Sequence, residues 1–526
     1  MILDIFISRF PRLKPETKWL LILLVERFID DQAIRVDASQ LSHEFHIPKK
    51  AIYKSLKELC ELGLFDEHQI FLPRKRHVNA YDFKFSQFNE LTEILGIEKN
   101  FYNKLPNTPN RNRILKLIHN QPFDKLYLKL KSPSKLLIFT LLILADETGI
   151  VNYCYKKDLS KLTGMSLTRV DAHLKKLLEL GYIRSKVNGI KNNKLFDCSP
   201  DVYYLDLCHS SFEYKIVYRD TVIIKPAIKE DNDNLEVNVI SNVVNIITRI
   251  EAEAKAKAKL EAEALIWQPK CPYIIHSDVT QERIHIKSSR YFNVLPCYCR
   301  HAGYRSYKNG VWFAGYIGFP DFSKIKDIFI KGLTKNARDF FQYKIEKYAS
   351  ILLETSWDDL GKKGPIINYN VLNLIEKEII PDSIKAKNNS GSPLSSSQIK
   401  ILHDFIFSVS VGLAQWVQCL LNRTDINPSS KRIMLKSKLV RKSIQPKEKK
   451  TSKTIIIRTL VIEFYNFNSA SMATERVFEL LKPVGLYKQE SYEIINFRQR
   501  ESLTEEEKLE YGLLTYPQHQ KTFSSE

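Results

Sequence analysis

One segment of this chain occurs twice at a constant distance. Residues 41–65 recur as residues 159–183, and Gly63 corresponds to Gly181, an offset of 118 residues (181 − 63). The match needs no gap between its two ends. Each copy has apolar residues at helical spacing on both sides of a short turn, then a glycine and strand-like residues. The pattern predicts a duplicated unit of helix, turn, helix and β-hairpin.

Length and charge set the first limits on function. The chain has 526 residues, enough for three or four domains of about 150 residues each. Its 80 Lys and Arg residues against 60 Asp and Glu residues give a net charge of +20. Such a balance favours a polyanionic partner, most often nucleic acid. A Lys-rich composition shared by many proteins of one genome is the competing explanation.

The compartment follows from cysteine use and hydropathy. The eight cysteines are sparse, and Cys60 falls inside a predicted helix, so we expect a reducing cytoplasm rather than a disulfide framework. The start of the chain is apolar but lacks a charged lead and a cleavage site. Segment Ile399–Leu421 contains His403, Asp404 and Gln415, which favours a buried amphipathic helix over a membrane span. We expect a cytoplasmic, nucleoid-associated protein without membrane contact.

The two copies predict matching elements. In the first copy we predict helices at Thr17–Asp30, Ser39–Phe45 and Lys49–Leu62, then hairpin strands at 70–72 and 78–85. In the second we predict helices at Lys135–Ala145, Asp158–Leu162 and Leu167–Leu180, then a hairpin over Ile183–Leu195 and a closing strand at 203–205. Asn188-Gly189 is a strong signal for the tip of that hairpin.

The third helix of each copy has two distinct faces. Core spacing is shown by Ile52, Leu56 and Leu59, and by Val170, Leu174 and Leu177. On the opposite face the candidate binding residues are Lys49, Lys50, Tyr53, Lys54 and Lys57 in the first copy, and Thr168, Arg169, Ala172 and Lys175 in the second. The face in the first copy is more basic, so it should bind nucleic acid more tightly and with less sequence selectivity than the face in the second copy. Thr168, Arg169 and His173 form a better set for contacts with base edges.

Each hairpin adds positive charge beside its third helix. The residues are Arg74, Lys75 and Arg76 in the first copy and Lys186, Lys191 and Lys194 in the second. A basic hairpin in this position is expected to contact the phosphate backbone or the minor groove. Basic loops are also common on surfaces that bind nothing.

On these residues the chain resembles the winged helix superfamily, over residues 15–85 and 133–207. The endings Leu59–Leu64 and Leu177–Tyr182 also resemble those of transcriptional regulators, and two consecutive copies resemble plasmid-type replication initiators. The resemblance implies a mainly α fold with small β wings (α+β), in which each third helix enters a major groove of double-stranded DNA. It does not extend to residues 208–526.

We therefore divide the chain as follows: winged helix domain 1 at 1–95, a connector at 96–132, winged helix domain 2 at 133–210, strands and a helical spacer at 211–270, an aromatic-rich α/β domain at 271–387, and a helical region with flexible and basic linkers at 388–526. The run Glu251–Glu263 is rich in Ala, Glu and Lys and predicts a rigid helical spacer. A dimerising helix within 235–267, giving a homodimer, is the alternative.

The remaining motifs are weaker. Cys297, Cys299 and His301 are soft metal ligands, but their spacing departs from that of zinc sites, so reduced cysteines in an aromatic core are favoured. Aromatic and Arg residues over 290–319 fit either a core or a stacking surface for single strands. The basic tract Lys431–Lys453 fits either phosphate attraction or a solvated linker.

No phosphate loop or dinucleotide motif is present, so we expect no enzyme activity, no cofactor and no small-molecule ligand. The expected function is sequence-specific binding of double-stranded DNA, as a replication initiator or a transcriptional regulator of a mobile genetic element. Two alternatives stay open. One is a recombinase or nuclease with scattered carboxylates in the C-terminal half. The other is a scaffold whose winged helices bind proteins.

Overall fold

The computed structural model describes residues 2–10, 13–28, 38–72, 76–83, 114, 118, 130–191, 196, 198–207, 209, 218–226, 334–360, 366, 368–380, 395–421, 432–444, 453–466 and 492–497. These residues are mostly helical with small antiparallel sheets, so the expected α+β class is confirmed. They fall into two compact units. The first lies within residues 1–186 and 200–218, and the second within 187–199 and 219–513. The domain predicted at 1–95 and the domain predicted at 133–210, apart from residues 187–199, therefore fall in one unit.

The first unit contains both copies of the repeat. Repeat 1 consists of α2 Pro15–Phe28, α3 Ala38–Phe45, α4 Lys49–Glu61, β1 Phe65–Leu72 and β2 Arg76–Phe83, and it is preceded by α1 Ile2–Ile7. Repeat 2 consists of α5 Ser132–Leu144, β3 Ile150–Val151, α6 Lys156–Thr163, α7 Leu167–Glu179, β4 Ile183–Val187 and β5 Val202–Leu205. Strands β1 and β2 form an antiparallel hairpin. In repeat 2 the strand order is β3-β5-β4.

The repeat is a structural repeat down to individual hydrogen bonds. Helices α3 and α6, like α4 and α7, begin and end at positions that differ by the sequence offset. Ser42 donates its Oγ–H to the Ile47 carbonyl at 2.7 Å, and Ser160 donates to the Met165 carbonyl at 2.6 Å. Both bonds close the turn between the second and third helices. The same local sequence therefore folds into the same turn twice.

The predicted core faces of the third helices are confirmed. All six apolar residues on these faces are buried: Ile52, Leu56, Leu59, Val170, Leu174 and Leu177. Helices α2 and α5 are apolar on nearly every side because they pack both within their own repeat and against each other. Their contact includes the stacked rings of Trp19 and Phe139, whose centroids are 5.6 Å apart. The two repeats thus share one core.

Two further contacts fix repeat 1 against repeat 2. Lys18 is fully buried, and its Nζ donates to the carbonyls of Phe6 at 3.1 Å, Ser8 at 2.9 Å and Leu162 in α6. Burial lowers the pKa of Lys18 well below its ordinary value. Gly164 ends α6 with φ of 70°, and a Cβ there would lie 2.6 Å from the Leu13 carbonyl oxygen. Only glycine allows this close approach of the two backbones.

The second unit joins a helical layer to a sheet. Its helices are α8 Lys335–Thr355, α9 Trp357–Leu360, α10 Tyr369–Glu378 and α11 Ser396–Leu421, and its strands are β6 Tyr218–Pro226, β7 Arg432–Ile444, β8 Lys453–Asn466 and β9 Tyr492–Phe497. The strand order is β7-β8-β6-β9. Ser350 and Glu354 of α8 accept backbone N–H groups of β7, from Leu435 at 3.0 Å and Ile433 at 2.7 Å.

Two expectations for this unit need correction. The region 388–526 was expected to be mainly helical with linkers, although its apolar segment Ile455–Phe467 fitted either a strand or a helix. Beyond α11 its described residues are the strands β7, β8 and β9. The tract Lys431–Lys453 is not a linker throughout, because Arg432–Ile444 pairs along its whole length with β8. The apolar residues Ile433, Met434 and Leu435 bury that strand at its start. The positive charge of this tract is typical of a linker, but three consecutive buried apolar residues hold it in the sheet as a strand.

The predicted buried helix over 399–421 is confirmed as α11. His403 bonds to the Ile379 carbonyl at 2.9 Å, and the Gln415 Nε2 donates to the Leu360 carbonyl at 3.1 Å, so each of these buried side chains has a partner in a neighbouring segment. Across the residues that the structure describes, we find no helix with both the length and the apolar character that a bilayer crossing requires.

Several predictions fall outside the described residues. They are most of the connector 96–132, the helical spacer with its dimerising alternative at 235–267, the aromatic segment 290–319, the metal candidates Cys297, Cys299 and His301, and the basic hairpin residues Arg74, Lys75 and Lys194.

Candidate nucleic-acid interface

The outer side of α4 carries a cluster of positive charge that we call the lysine face. The helix starts after Pro48 and ends before Gly63, whose φ of 74° suits a glycine. Five residues on consecutive turns of one side of the helix are exposed: Lys49, Lys50, Tyr53, Lys54 and Lys57. Tyr53 is 41% exposed, and the Lys49 Nζ lies 5.6 Å from its ring centroid. All five were predicted from the sequence as binding residues.

The outer side of α7 is different, and we call Leu167, Thr168 and Ala172 its methyl face. Ser166 caps the helix by accepting the Arg169 N–H at 3.4 Å, as its residue type predicts. The three residues are exposed, and Leu167 is 49% exposed despite its apolar side chain. Lys175, predicted as a binding residue, is exposed one turn further along. Its ammonium group lies 4.0 Å from Glu179.

Arg169 has a partner that the sequence did not predict. Its guanidinium Nη2 forms an ion pair with the Glu16 carboxylate in the first turn of α2. The arginine side chain is 38% exposed, so it is held on one side and open on the other. The two residues are 153 positions apart and lie in different repeats. No local sequence signal could have indicated this pair.

His173 does not belong to the exposed set. Its Nδ1 lies 2.8 Å from the Ser134 Oγ of α5, and the ring is partly buried. Burial, followed by the positive charges of Arg169 and Lys176, lowers the pKa of His173 below its ordinary value. From its position on α7, His173 was expected to contact base edges. The structure instead places it in the contact between α5 and α7.

A chain of ion pairs neutralises the acidic side of α7. The Lys156 Nζ lies 2.6 Å from Asp171 and 3.7 Å from Asp201, and the Lys186 Nζ lies 2.8 Å from Asp201. The hydrogen bond that Lys156 donates to the Asp171 carboxylate is the main cause that raises the pKa of Lys156. Lys186 was predicted as a hairpin residue open to phosphates. It is instead partly buried, with its charge directed to Asp201, and lies 6.0 Å from the centre of the Tyr203 ring.

The second hairpin also differs from its prediction. Ile190 pairs with Ser199 in an antiparallel bridge, so the chain reverses between those residues and not at Asn188-Gly189. Lys191 follows the bridge and is exposed. Phe196 lies on the reversing segment and contacts Phe340 of α8, with ring centroids 5.2 Å apart. The predicted tip was wrong. Asn-Gly favours a turn locally, but the longer connection between the two strands allows Phe196 to be buried.

The predicted first hairpin is confirmed as the antiparallel strands β1 and β2, and β1 begins five residues earlier than predicted, at Phe65. Arg76, predicted between the strands, instead begins β2 opposite Leu72.

Metal ligands are not clustered in the described part of the chain. There, no group of three or more His, Cys, Asp or Glu side chains is arranged to hold a metal ion. No protein-family model, no curated protein and no solved structure matches this chain.

Proposed function

We propose that this chain binds double-stranded DNA through the outer sides of α4 and α7. One observation carries the proposal. The same helix, turn and helix occur twice with equal bounds, and each third helix buries one side while its other side stays exposed. A third helix of this kind fits the major groove, where its N-terminal residues meet base edges.

The order of elements in repeat 2 supports a winged helix assignment. A helix, a short strand, two helices joined by a tight turn and two further strands follow one another, and β5 lies between β3 and β4. Repeat 1 has a hairpin in the corresponding place after α4. We propose two tandem winged helices that act in replication initiation or transcriptional control of a mobile element in the cytoplasm.

The two faces suit different parts of a duplex. The lysine face offers four ammonium groups, which attract phosphates of any sequence and release counterions on binding. The methyl face offers apolar groups of the kind that contact thymine methyls, and Arg169 beside it suits a guanine edge. We infer that α4 supplies affinity and α7 supplies selectivity.

The test is selection of bound duplexes from a random 30-bp pool by the full-length chain. We expect enrichment of a defined sequence, tighter binding of that duplex than of its separate strands, and affinity that falls steeply with salt. The proposal fails if no sequence is enriched and the affinity of the chain for the duplex pool is no higher than its affinity for a neutral polymer.

A further inference from the structure

The pair between Glu16 and Arg169 connects one repeat to the outer side of the other. Arg169 is the third residue of α7, within the first turn of the helix. In helix-turn-helix proteins that turn is the part nearest the base edges. An arginine there typically donates two hydrogen bonds to O6 and N7 of a guanine. A guanidinium has five N–H donors, so one carboxylate leaves donors available.

The position of Glu16 is fixed by the contact between the repeats. Glu16 lies in the first turn of α2, three residues before Trp19, which stacks on Phe139 of α5. Lys18 in the same turn is bonded to the Leu162 carbonyl of α6. On the other side, the Leu13 carbonyl touches Gly164 just ahead of α7. The backbone of Glu16 is therefore held by buried contacts, while its side chain is 37% exposed and extends to Arg169.

We propose that Glu16 orients Arg169 toward a guanine in the part of the DNA site that faces α7. We call this part the α7 half-site. The inference rests on the proposed function. An ion pair with a carboxylate on a fixed backbone restricts the arginine to fewer rotamers before DNA arrives, so less entropy is lost when the guanine is bound. Its negative charge also disfavours a phosphate near Arg169, which weakens binding to incorrect registers. Base selection by repeat 2 thus depends on a residue of repeat 1.

The arrangement is specific to one repeat. At the offset of the repeat, Arg169 corresponds to Ala51 and Glu16 to Ser134. The reciprocal contact, from repeat 2 to the third helix of repeat 1, therefore has no charged pair. The inference predicts that the guanine preference occurs in one half-site and not in both.

The experiment compares the selected duplex with a duplex whose α7 half-site is scrambled, at one salt concentration. For Glu16→Gln we expect the ratio of the two dissociation constants to fall about tenfold, as expected for one oriented base contact. Arg169→Ala should reduce the ratio at least as much, and the double variant no further than Arg169→Ala. Replacing the guanine by 7-deazaguanine, which lacks the N7 acceptor, should weaken the wild type and leave Arg169→Ala unchanged.

Two control variants separate orientation from charge. Glu44→Gln removes the carboxylate of another ion pair, with Arg27, and should change both duplexes by the same factor. Glu16→Asp keeps the charge but shortens the side chain, so it should reduce the ratio without raising affinity for the scrambled duplex. Circular dichroism confirms that each variant is folded.

Three outcomes would overturn the inference while leaving the proposed function intact. They are a Glu16→Gln variant that behaves like Glu44→Gln, additive effects in the double variant, and a selected sequence without guanine in the α7 half-site. Absence of any duplex binding by the wild type is a different result, and it would overturn the proposed function itself.

Discussion

Repeats 1 and 2 share a frame and differ on their outer sides. Their second and third helices have equal lengths, and both third helices end at a glycine with positive φ, 74° at Gly63 and 82° at Gly181. Yet Lys49, Lys50 and Lys54 correspond to Leu167, Thr168 and Ala172. The buried apolar positions of the third helices are alike in the two repeats, whereas the exposed positions differ. The proposed split between anchoring by α4 and base selection by α7 would account for that pattern.

The polar positions inside the two repeats also differ. In repeat 1, Thr17 donates to Glu58 at 2.8 Å, and Lys14 pairs with the same carboxylate at 3.2 Å. Thr17 corresponds to Lys135, which is buried, and Ser55 corresponds to His173. The frame therefore tolerates different polar residues wherever each finds a partner.

The largest expected effect is on DNA affinity. Replacing Lys49, Lys50, Lys54 and Lys57 by Gln should make the negative slope of log affinity against log salt less steep. The expected change is about 3 to 4 units, at about 0.9 per phosphate contact. Affinity should fall about a thousandfold for all sequences if each contact contributes about 1 kcal/mol. Fluorescence anisotropy measures both quantities. Lys377 and Lys400, exposed lysines of the second unit, give the control when replaced by Gln.

If the control variant weakens binding as much per charge as the lysine face does, then net charge and not α4 carries the affinity. The comparison between the repeats would then lose its functional meaning.

The next effect concerns the shared frame. Leu56 and Leu174 occupy matching positions and are both buried. Replacing either by Ala should cost about 2 to 5 kcal/mol, because a cavity replaces packed methyl groups. Hydrogen exchange of α4 and α7 during a urea titration measures each local loss. A large cost at one site and almost none at the other would mean that the repeats do not share a packing frame.

A smaller effect tests the contact between the repeats. Gly63→Ala and Gly164→Ala both place a side chain at positive φ, which costs about 1 to 2 kcal/mol. The Gly63 site has open space, whereas a Cβ at Gly164 would meet the Leu13 carbonyl oxygen at 2.6 Å. We expect Gly164→Ala to lower the free energy of unfolding by about 1 to 3 kcal/mol more than Gly63→Ala. Equal costs would show that the two backbones are not this close.

The last effect is a pH dependence that arises at Lys135 in repeat 2 and not at the matching position in repeat 1. Burial lowers the pKa of Lys135 from 10.5 to about 8, whereas Thr17 at the matching position does not titrate. Between these values the unfolded chain holds a proton that the folded chain has released, so folded stability rises with pH. The stability of wild type relative to Lys135→Met should therefore be flat below pH 8 and increase from about 8 to 10.5. Thermal unfolding across this range measures it, and a constant difference would contradict the assignment.

Sequence alone gave most of repeats 1 and 2. Helical spacing located the helices to within a few residues, because one-sided burial imposes that spacing on any such helix. The same argument identified the core residues, such as Leu56 and Leu174, and by elimination the exposed ones. These inferences need only contacts between residues close in sequence.

What sequence missed depends on distant contacts. The pairing of Arg169 with Glu16, and of Lys186 with Asp201, depends on side chains brought together by the fold. The strand at Arg432–Ile444 gains its stability from β8 and α8, while its lysines resemble those of a linker. A charge pattern reports the solvent side of an element and says little about its partner.

Acetylation footprinting of lysines on the full-length chain, with and without saturating selected duplex, tests directly whether α4 contacts DNA. We expect DNA to lower the reactivity of Lys50, Lys54 and Lys57 sharply, while Lys377 and Lys400 react as before. The proposed contact is contradicted if, in the saturated complex, Lys54 and Lys57 remain as reactive as Lys377 and Lys400.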